Sequence, residues 1–287
     1  MDSFSLRCLI GVALSLTIAA RAHKRRSLDL SGAIAGFFVM SIHFAASYRY
    51  GAMLLAFFFS SSKLTKVGQE KKRSIDEHFK EGGQRNWIQV LANSGLAAVL
   101  AIVTSALTNG QDNCLDANES KVVTALVGGI IGHYACCNGD TWSSELGVLS
   151  NAQPRLITTL KPVKKGTNGG VTLQGLAAAA AAGFVIGITY VVVGLLTTKC
   201  DADVTWRQLL VVPLALAAGL CGSLIDSFLG ATLQFSGYCS LRKKVVGRRS
   251  PTVTKISGID ILDNNAVNVV SVLLTTVLTS FACLHIF

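Results

Sequence analysis

Three carboxylates stand where an apolar chain should not have them. Asp140 lies in HYACCNGDTWSSELG, at the end of a run, VVTALVGGIIGHYACC, that lipid could surround, and Glu145 follows it. Asp226 lies inside AGLCGSLIDSFLGATLQFSG, among Gly219, Gly222, Ser223, Ser227 and Gly230. Asp263 opens the last apolar run in KISGIDILDNNAVN, with Asp260, Asn264, Asn265 and Asn268 around it. A carboxylate at membrane depth is costly and by default marks a functional site. Small residues around Asp226 permit close helix packing, which would turn it into a bundle. The plainer reading of Asp226 is an interhelical hydrogen bond. Asp260, Asn264 and Asn268 fall four apart, as a polar stripe on one helix face would, and ordinary N-capping is the plainer account of that group.

Cations and glycines accompany these acids. In PRLITTLKPVKKGTNGGVTLQG, Lys161, Lys164 and Lys165 precede Gly166, Thr167, Asn168, Gly169 and Gly170, just before another apolar run. A glycine turn that feeds a helix N-terminus offers backbone N–H groups and a positive dipole end, which suits phosphate. The order of a Walker A loop is absent, and a flexible basic linker is the plainer reading. The stretch SSSKLTKVGQEKKR carries Lys63, Thr65, Lys66 and Gly68; such a juxtamembrane run commonly binds anionic lipid headgroups. In GGQRNWIQVLANSG, Gln84 and Arg85 precede Asn86, Gln89 and Asn93, spaced to share one helix face. Amides entering a membrane helix face protein or water, since lipid cannot satisfy them.

Hard oxygen ligands opposite lysines suggest a Mg²⁺–phosphate site. Asp140, Asp226 and Asp263 are the expected metal ligands, with Glu145 in reserve. Lys161, Lys164 and Lys165 are expected on phosphate, supported by Lys63, Lys66, Arg85, Asn93, the 166–170 loop, Asn264 and Asn268. No Ser/His/Asp or Cys/His nucleophile system is visible, and His133 reads as a packed histidine.

The elements that must position these residues are membrane helices. The chain has 287 residues, 51% hydrophobic and 15% charged, with a mean hydropathy of +0.50. Soluble domains average about 25% charged residues, so a water-soluble fold is excluded. The pattern predicts an all-α, polytopic bundle forming a single membrane domain. Runs of roughly 20 apolar residues lie at about 4–20, 30–47, 51–64, 87–107, 121–137, 173–198, 207–235 and 265–287, and the third is short enough to be broken or re-entrant. The first lacks a basic stretch before it and has Arg21, Lys24, Arg25 and Arg26 after it, which reads as an anchor in reversed orientation.

Lys and Arg alternate with those runs. The loops 21–29, 63–86, 138–172 and 236–264 hold four, seven, four and six of the 26 in the chain. The positive-inside rule places these loops in the cytosol and both termini outside. The net charge of +10 is thus a topological signature, and nucleic-acid binding is a poor reading of it. Cys114 and Cys200 fall in the outside loops, either as a disulfide or as two free thiols. The other cysteines fall in spans or on the cytosolic side, where thiols stay reduced.

The segments SSKLTKVG, EGGQRNWIQVLANSG, HYACCNGDTWSSELG, KPVKKGTNGGVT, GSLIDSFLGATLQ and ISGIDILDNNAVN resemble the transmembrane protein 19 family over nearly the whole chain. One plant branch of that family is a plasma-membrane regulator of the glucose response. Another is phytyl-phosphate kinase, and more distant similarity reaches dolichol kinase and phosphatidate cytidylyltransferase. The resemblance implies transfer from a nucleotide, CTP or ATP, to an isoprenyl (phytyl or polyprenyl) or other lipid phosphate, with a non-catalytic regulator of glucose response and growth as the alternative. It also implies the plasma membrane, with the endoplasmic reticulum or plastid envelope as alternatives. No transit peptide is visible to match the phytyl-phosphate kinase branch.

Overall fold

The computed structural model describes residues 3–75 and 83–287. Lys80, counted in the second basic loop, lies outside them. Helices α1 (Ser3–Lys24), α2 (Leu30–Ala46) and α3 (Tyr48–Thr65) are followed by the short α4 (Gln69–Ile75). Next come α5 (Trp87–Ala92), α6 (Gly95–Leu107), α7 (Lys121–Gly147) and α8 (Leu173–Thr197). The last three are α9 (Ala202–Gln208), α10 (Val211–Leu233) and α11 (Asn264–Ile286). Five stretches are long and apolar enough to cross a membrane: α1, α7, α8, the continuous α9–α10 segment and α11. Helices α2 and α6 are apolar but shorter. Every apolar run in the sequence is helical, and the structure departs from expectation at three places.

The run 87–107 is split, because Asn93, Ser94 and Gly95 break it between α5 and α6. Asn86 caps α5 through a capping box with Gln89, and Asn93 ends it. The three amides expected on one continuous face therefore serve as terminal groups, the role that satisfies orphaned backbone at helix ends. Helix α7 runs ten residues past the expected end at 137, so Asp140 and Glu145 sit on helix. Strands also appear in the basic loops: β1 (Arg155–Leu156) pairs with β2 (Gly170–Val171), and β3 (Ser236–Cys239) lies between β4 (Lys244–Val246) and β5 (Val253–Ser257), all antiparallel. Their β-branched residues were masked in the sequence by the lysines and arginines between them.

Helix α7 is the axis, packed against α8, α10 and α11. Small residues set the distances. A Cβ on Gly132 would meet Thr279 Oγ1 at 2.4 Å, and one on Gly139 would meet the Gly219 carbonyl at 2.5 Å. Backbone contact of this kind replaces the hydrophobic drive that helices lack in lipid.

The end of the bundle remote from Asp140 is held by charge. Arg49, at the start of α3, is 2% exposed. Its Nη1 donates to Tyr190 Oη at 2.8 Å and its Nη2 to the Asn113 carbonyl at 2.6 Å. Asp112 lies 4.0 Å from Arg49 and 3.7 Å from Arg7. Cys114 and Cys200 are joined as a disulfide with Cα atoms 6.0 Å apart, and Gln208 exchanges two hydrogen bonds with the Leu115 backbone.

The Lys/Arg alternation carries a direct expectation for orientation. A reporter fused after Phe287 should be extracytosolic, and tags inserted within 65–85 or 240–255 should be cytosolic, as read by accessibility to an impermeant label. A cytosolic C-terminus would remove one span from the eight that the sequence leads one to expect and contradict the alternation.

Candidate functional site

Asp140 and Asp226 meet across the α7–α10 contact, with side chains within hydrogen-bonding reach of one another. Helix α11 completes the pair, since Ser271 Oγ donates to Asp226 Oδ2 at 3.0 Å. The Cys136 thiol, one turn before Asp140, lies against the hydroxyls of Ser271 and Thr275. The close approach has a local cause: Gly139 sits on Gly219, and Gly222 on Cys136, both at distances that no side chain would allow. Two acids expected from distant segments are thereby brought together.

Asp263 is elsewhere. It is the N-cap of α11, accepting from the Ala266 N–H at 2.8 Å. Ser271 lies eight residues further on, about 12 Å along the axis at 1.5 Å per residue. Asp260 precedes the helix, so it does not share a stripe with Asn264 and Asn268. Glu145 pairs with Lys72, 2.6 Å from its Nζ, and its charge also acts on Arg85. Among the described residues, no group of three or more His, Cys, Asp or Glu side chains is placed to hold a metal ion. The donors that do converge are two carboxylates and one hydroxyl.

The lysines are partly engaged in ending helices. Lys72 Nζ donates to the Leu64 and Thr65 carbonyls at the close of α3. Lys71 and Lys165 donate to the Leu149 and Ser150 carbonyls just beyond α7. Cations there complement the negative end of the helix dipole. Partial burial, and then the charge of Lys71, lower the pKa of Lys165, so this corner favours an anion. Lys164 lies over the Tyr238 ring, 3.5 Å from its centroid. Lys66 donates to the Arg25 carbonyl, while Lys63 and Lys161 are exposed.

The 166–170 loop packs beside the acids. Gly169 has φ +75°, and a Cβ there would lie 2.5 Å from the Ser227 carbonyl, next to Asp226. Its N–H groups are largely occupied: Thr167 donates to the Lys164 carbonyl, Gly170 to the Thr167 carbonyl and Asn168 to Ser236 Oγ. The glycines thus account for a tight loop against α10, and a cradle of free N–H groups is not what they form.

Sequence reasoning passed over Asn138 and Ser271. Asn138 is fully buried on the face of α7 opposite Asp140, where it accepts from Ser60 and Ser61 and donates to the Ala182 carbonyl. Trp142 Nε1 donates to Ser60 as well. The signal for Asn138 was its place two residues before Asp140. Ser271 was hidden in a run of serines and threonines that resembles any membrane helix.

A polytopic helical protein with a carboxylate pair inside its spans is the class that these observations define. Residues 13–276 match the model of the family described as integral membrane protein DUF92, and the chain belongs to that family, as the transmembrane protein 19 resemblance implied. It is 67% identical to Protein PGR of Arabidopsis thaliana over 281 residues, covering 98% of both chains. An uncharacterized membrane protein of Methanocaldococcus jannaschii is 31% identical over 81% of this chain and 85% of its own. One from Synechocystis is 30% identical over 66% of this chain and 65% of its own. No solved structure matches the chain.

The Gly139 contact gives a sharp expectation. Gly139→Ala should force α7 and α10 apart, costing about 1–3 kcal/mol, as overpacking of a tight contact does. Gly36→Ala, whose Cβ would stand 3.4 Å from Leu28, should be nearly neutral. Thermal unfolding of both variants in the same detergent checks the contrast.

Proposed function

We propose that the chain is a Mg²⁺-dependent phosphotransferase of the plasma membrane, using CTP or ATP to phosphorylate an isoprenyl or other lipid phosphate. The observation that carries this reading is the facing of Asp140 and Asp226 within the helical bundle. Two carboxylates in such surroundings repel, and a divalent cation between them removes the repulsion. The donor set fits Mg²⁺, which is commonly held by one or two carboxylates together with water and substrate phosphates. Bound there, Mg²⁺ would neutralise charge on the transferring phosphoryl group.

This chain's own residues supply the rest. The acceptor phosphate is already an anion, so positioning and charge compensation matter more than a general base. Ser271 fixes one oxygen of Asp226 and orients the other. Lys165 and Lys71 make the neighbouring corner cationic, on the side where the 166–170 loop meets α10. Asp263, as a helix cap, is outside this assignment.

A non-catalytic regulator of the glucose response is the second reading. Identity of 67% to Protein PGR across nearly the full chain favours a shared role in plants, whichever chemistry underlies it. Purified protein in nanodiscs, given Mg²⁺, labelled CTP or ATP and a panel of isoprenyl monophosphates, separates the two. Labelled diphosphate that depends on Mg²⁺ supports the enzyme; no product with any donor and acceptor supports the regulator.

A further inference from the structure

The chain has four prolines, and Pro251 is the one that follows a serine or threonine. Ser250 and Pro251 lie in the connection 247–252 between β4 and β5, where Arg248, Arg249, Ser250 and Pro251 are all exposed. Arg249 and Ser250 have irregular backbone, outside strand, helix and turn. Among the described residues, the Ser250 hydroxyl has Thr252 Oγ1 as its partner, 3.3 Å away. Thr252 is built into the sheet instead. Its carbonyl accepts from the Ser240 N–H and Oγ, and its hydroxyl lies 3.7 Å from Cys239 Sγ. Ser250 is therefore the hydroxyl that this connection presents to solvent.

The surroundings are cationic and connected to the carboxylates. Residues 227–259 contain six Lys or Arg and no Asp or Glu. The Arg249 guanidinium stands over the Phe235 ring, 5.3 Å from its centroid, and Phe235 is buried. The Phe235 carbonyl accepts from Asn168 Nδ2 at 3.3 Å, and Ser236 Oγ accepts from the Asn168 N–H at 3.0 Å. Gly169 comes next and is pressed on the Ser227 carbonyl, beside Asp226. Arg249 thus covers the residue pair that holds the 166–170 loop against α10.

We infer that Ser250 is a phosphorylation site for a proline-directed Ser/Thr protein kinase, and that its phosphate takes Arg249 from Phe235. Pro251 offers no N–H, so a kinase that hydrogen-bonds the residue after the serine rejects this segment, and one that accepts proline there does not. In the transfer the Ser250 oxygen bonds to the γ-phosphorus of ATP and the bond to the bridging oxygen breaks. ADP leaves, and the hydroxyl proton passes to the base of the kinase. The new group carries about −1.5 to −2 charge and three acceptor oxygens. A guanidinium gives such a phosphate paired, charge-assisted hydrogen bonds, a stronger attachment than an aromatic face at an exposed site. Phe235 then loses its cover, and the 166–170 loop is held less firmly. The inference is independent of the phosphotransferase reading and requires the cytosolic placement expected for residues 236–264.

The test uses the full-length protein in nanodiscs with Mg²⁺, labelled ATP and a mitogen-activated protein kinase, against a reaction without kinase. Label is read on the protein itself and mapped by peptide mass spectrometry. Wild type should take up one kinase-dependent phosphate per chain, on Ser250. Thr252→Ala should keep it, Ser250→Ala should lose it, and Pro251→Ala should cut incorporation at least tenfold. Hydrogen exchange in peptides spanning 164–172 should quicken at least threefold on phosphorylation. Arg249→Gln should quicken the same peptides without kinase, and phosphorylation should then add little. No incorporation in wild type, equal label in Ser250→Ala, or equal label in Pro251→Ala overturns the site. Phosphate on Ser250 with unchanged exchange in 164–172 overturns the role given to Arg249.

Discussion

Asp226→Asn is expected to give a folded protein whose Mg²⁺-dependent transfer falls by about a thousandfold or more, the loss typical of removing a preorganised electrostatic group from a transfer site. The amide oxygen of Asn can still accept the Ser271 hydrogen bond now made to Asp226 at 3.0 Å, and its size matches, so the α10–α11 contact survives. What disappears is the negative charge opposite Asp140. Asp140→Asn should behave alike, and the double variant should lose little more than either single one, because the two acids act as a unit. A structural Asp226 predicts another pattern: lowered thermal stability with transfer near wild type. Single-turnover transfer and unfolding temperature, measured on the same preparations, distinguish them.

The second large effect lies at the other end of the bundle and concerns stability alone. Asp112→Ala should destabilise the fold by about 3–5 kcal/mol, the usual cost of leaving a buried charge without its partner. Arg49 and Arg7 are 2% and 5% exposed, and Asp112 is the carboxylate near both, at 4.0 and 3.7 Å. Without it the two buried cations keep, among the described residues, backbone carbonyls, the Tyr190 hydroxyl and the Phe4 and Tyr190 rings as partners. The disulfide between Cys114 and Cys200 fastens the same loop, so the loss should grow when Asp112→Ala is combined with reduction. Unfolding temperature with and without reductant measures both. A shift no larger than that of an exposed substitution would show that the carbonyls alone carry the two arginines.

Much of the architecture was readable because lipid imposes simple demands. Every apolar run became a helix, since no other open structure satisfies its own backbone in a bilayer. The break at Asn93 and the strands in the basic loops were harder to read, because both depend on partners. Asn93 ends a helix where its carbonyl accepts from His133 and Cys137, and β3 is held between β4 and β5. At the site, Asp140 and Asp226 stood out by the cost of burying charge. Asp263 looked equivalent from its neighbours, but an aspartate at a helix start has a local use as a cap, and that use prevailed. The glycines of the 166–170 loop suggested phosphate, whereas Gly169 answers to the closeness of Ser227 and Ala231 on α10. Periodicity identifies a face; it does not say which of several bonds a polar group on that face will make.

The central claim is that Asp140 and Asp226 together hold a divalent cation. Mn²⁺, which replaces Mg²⁺ at oxygen sites and is visible by electron paramagnetic resonance, tests it on the wild-type protein, Asp140→Asn, Asp226→Asn and Asp263→Asn in nanodiscs with a non-hydrolysable nucleotide. The account predicts one Mg²⁺-displaceable Mn²⁺ per chain in the wild type and in Asp263→Asn, with binding lost in Asp140→Asn and in Asp226→Asn. Equal binding in all four proteins, or none in the wild type, would contradict it.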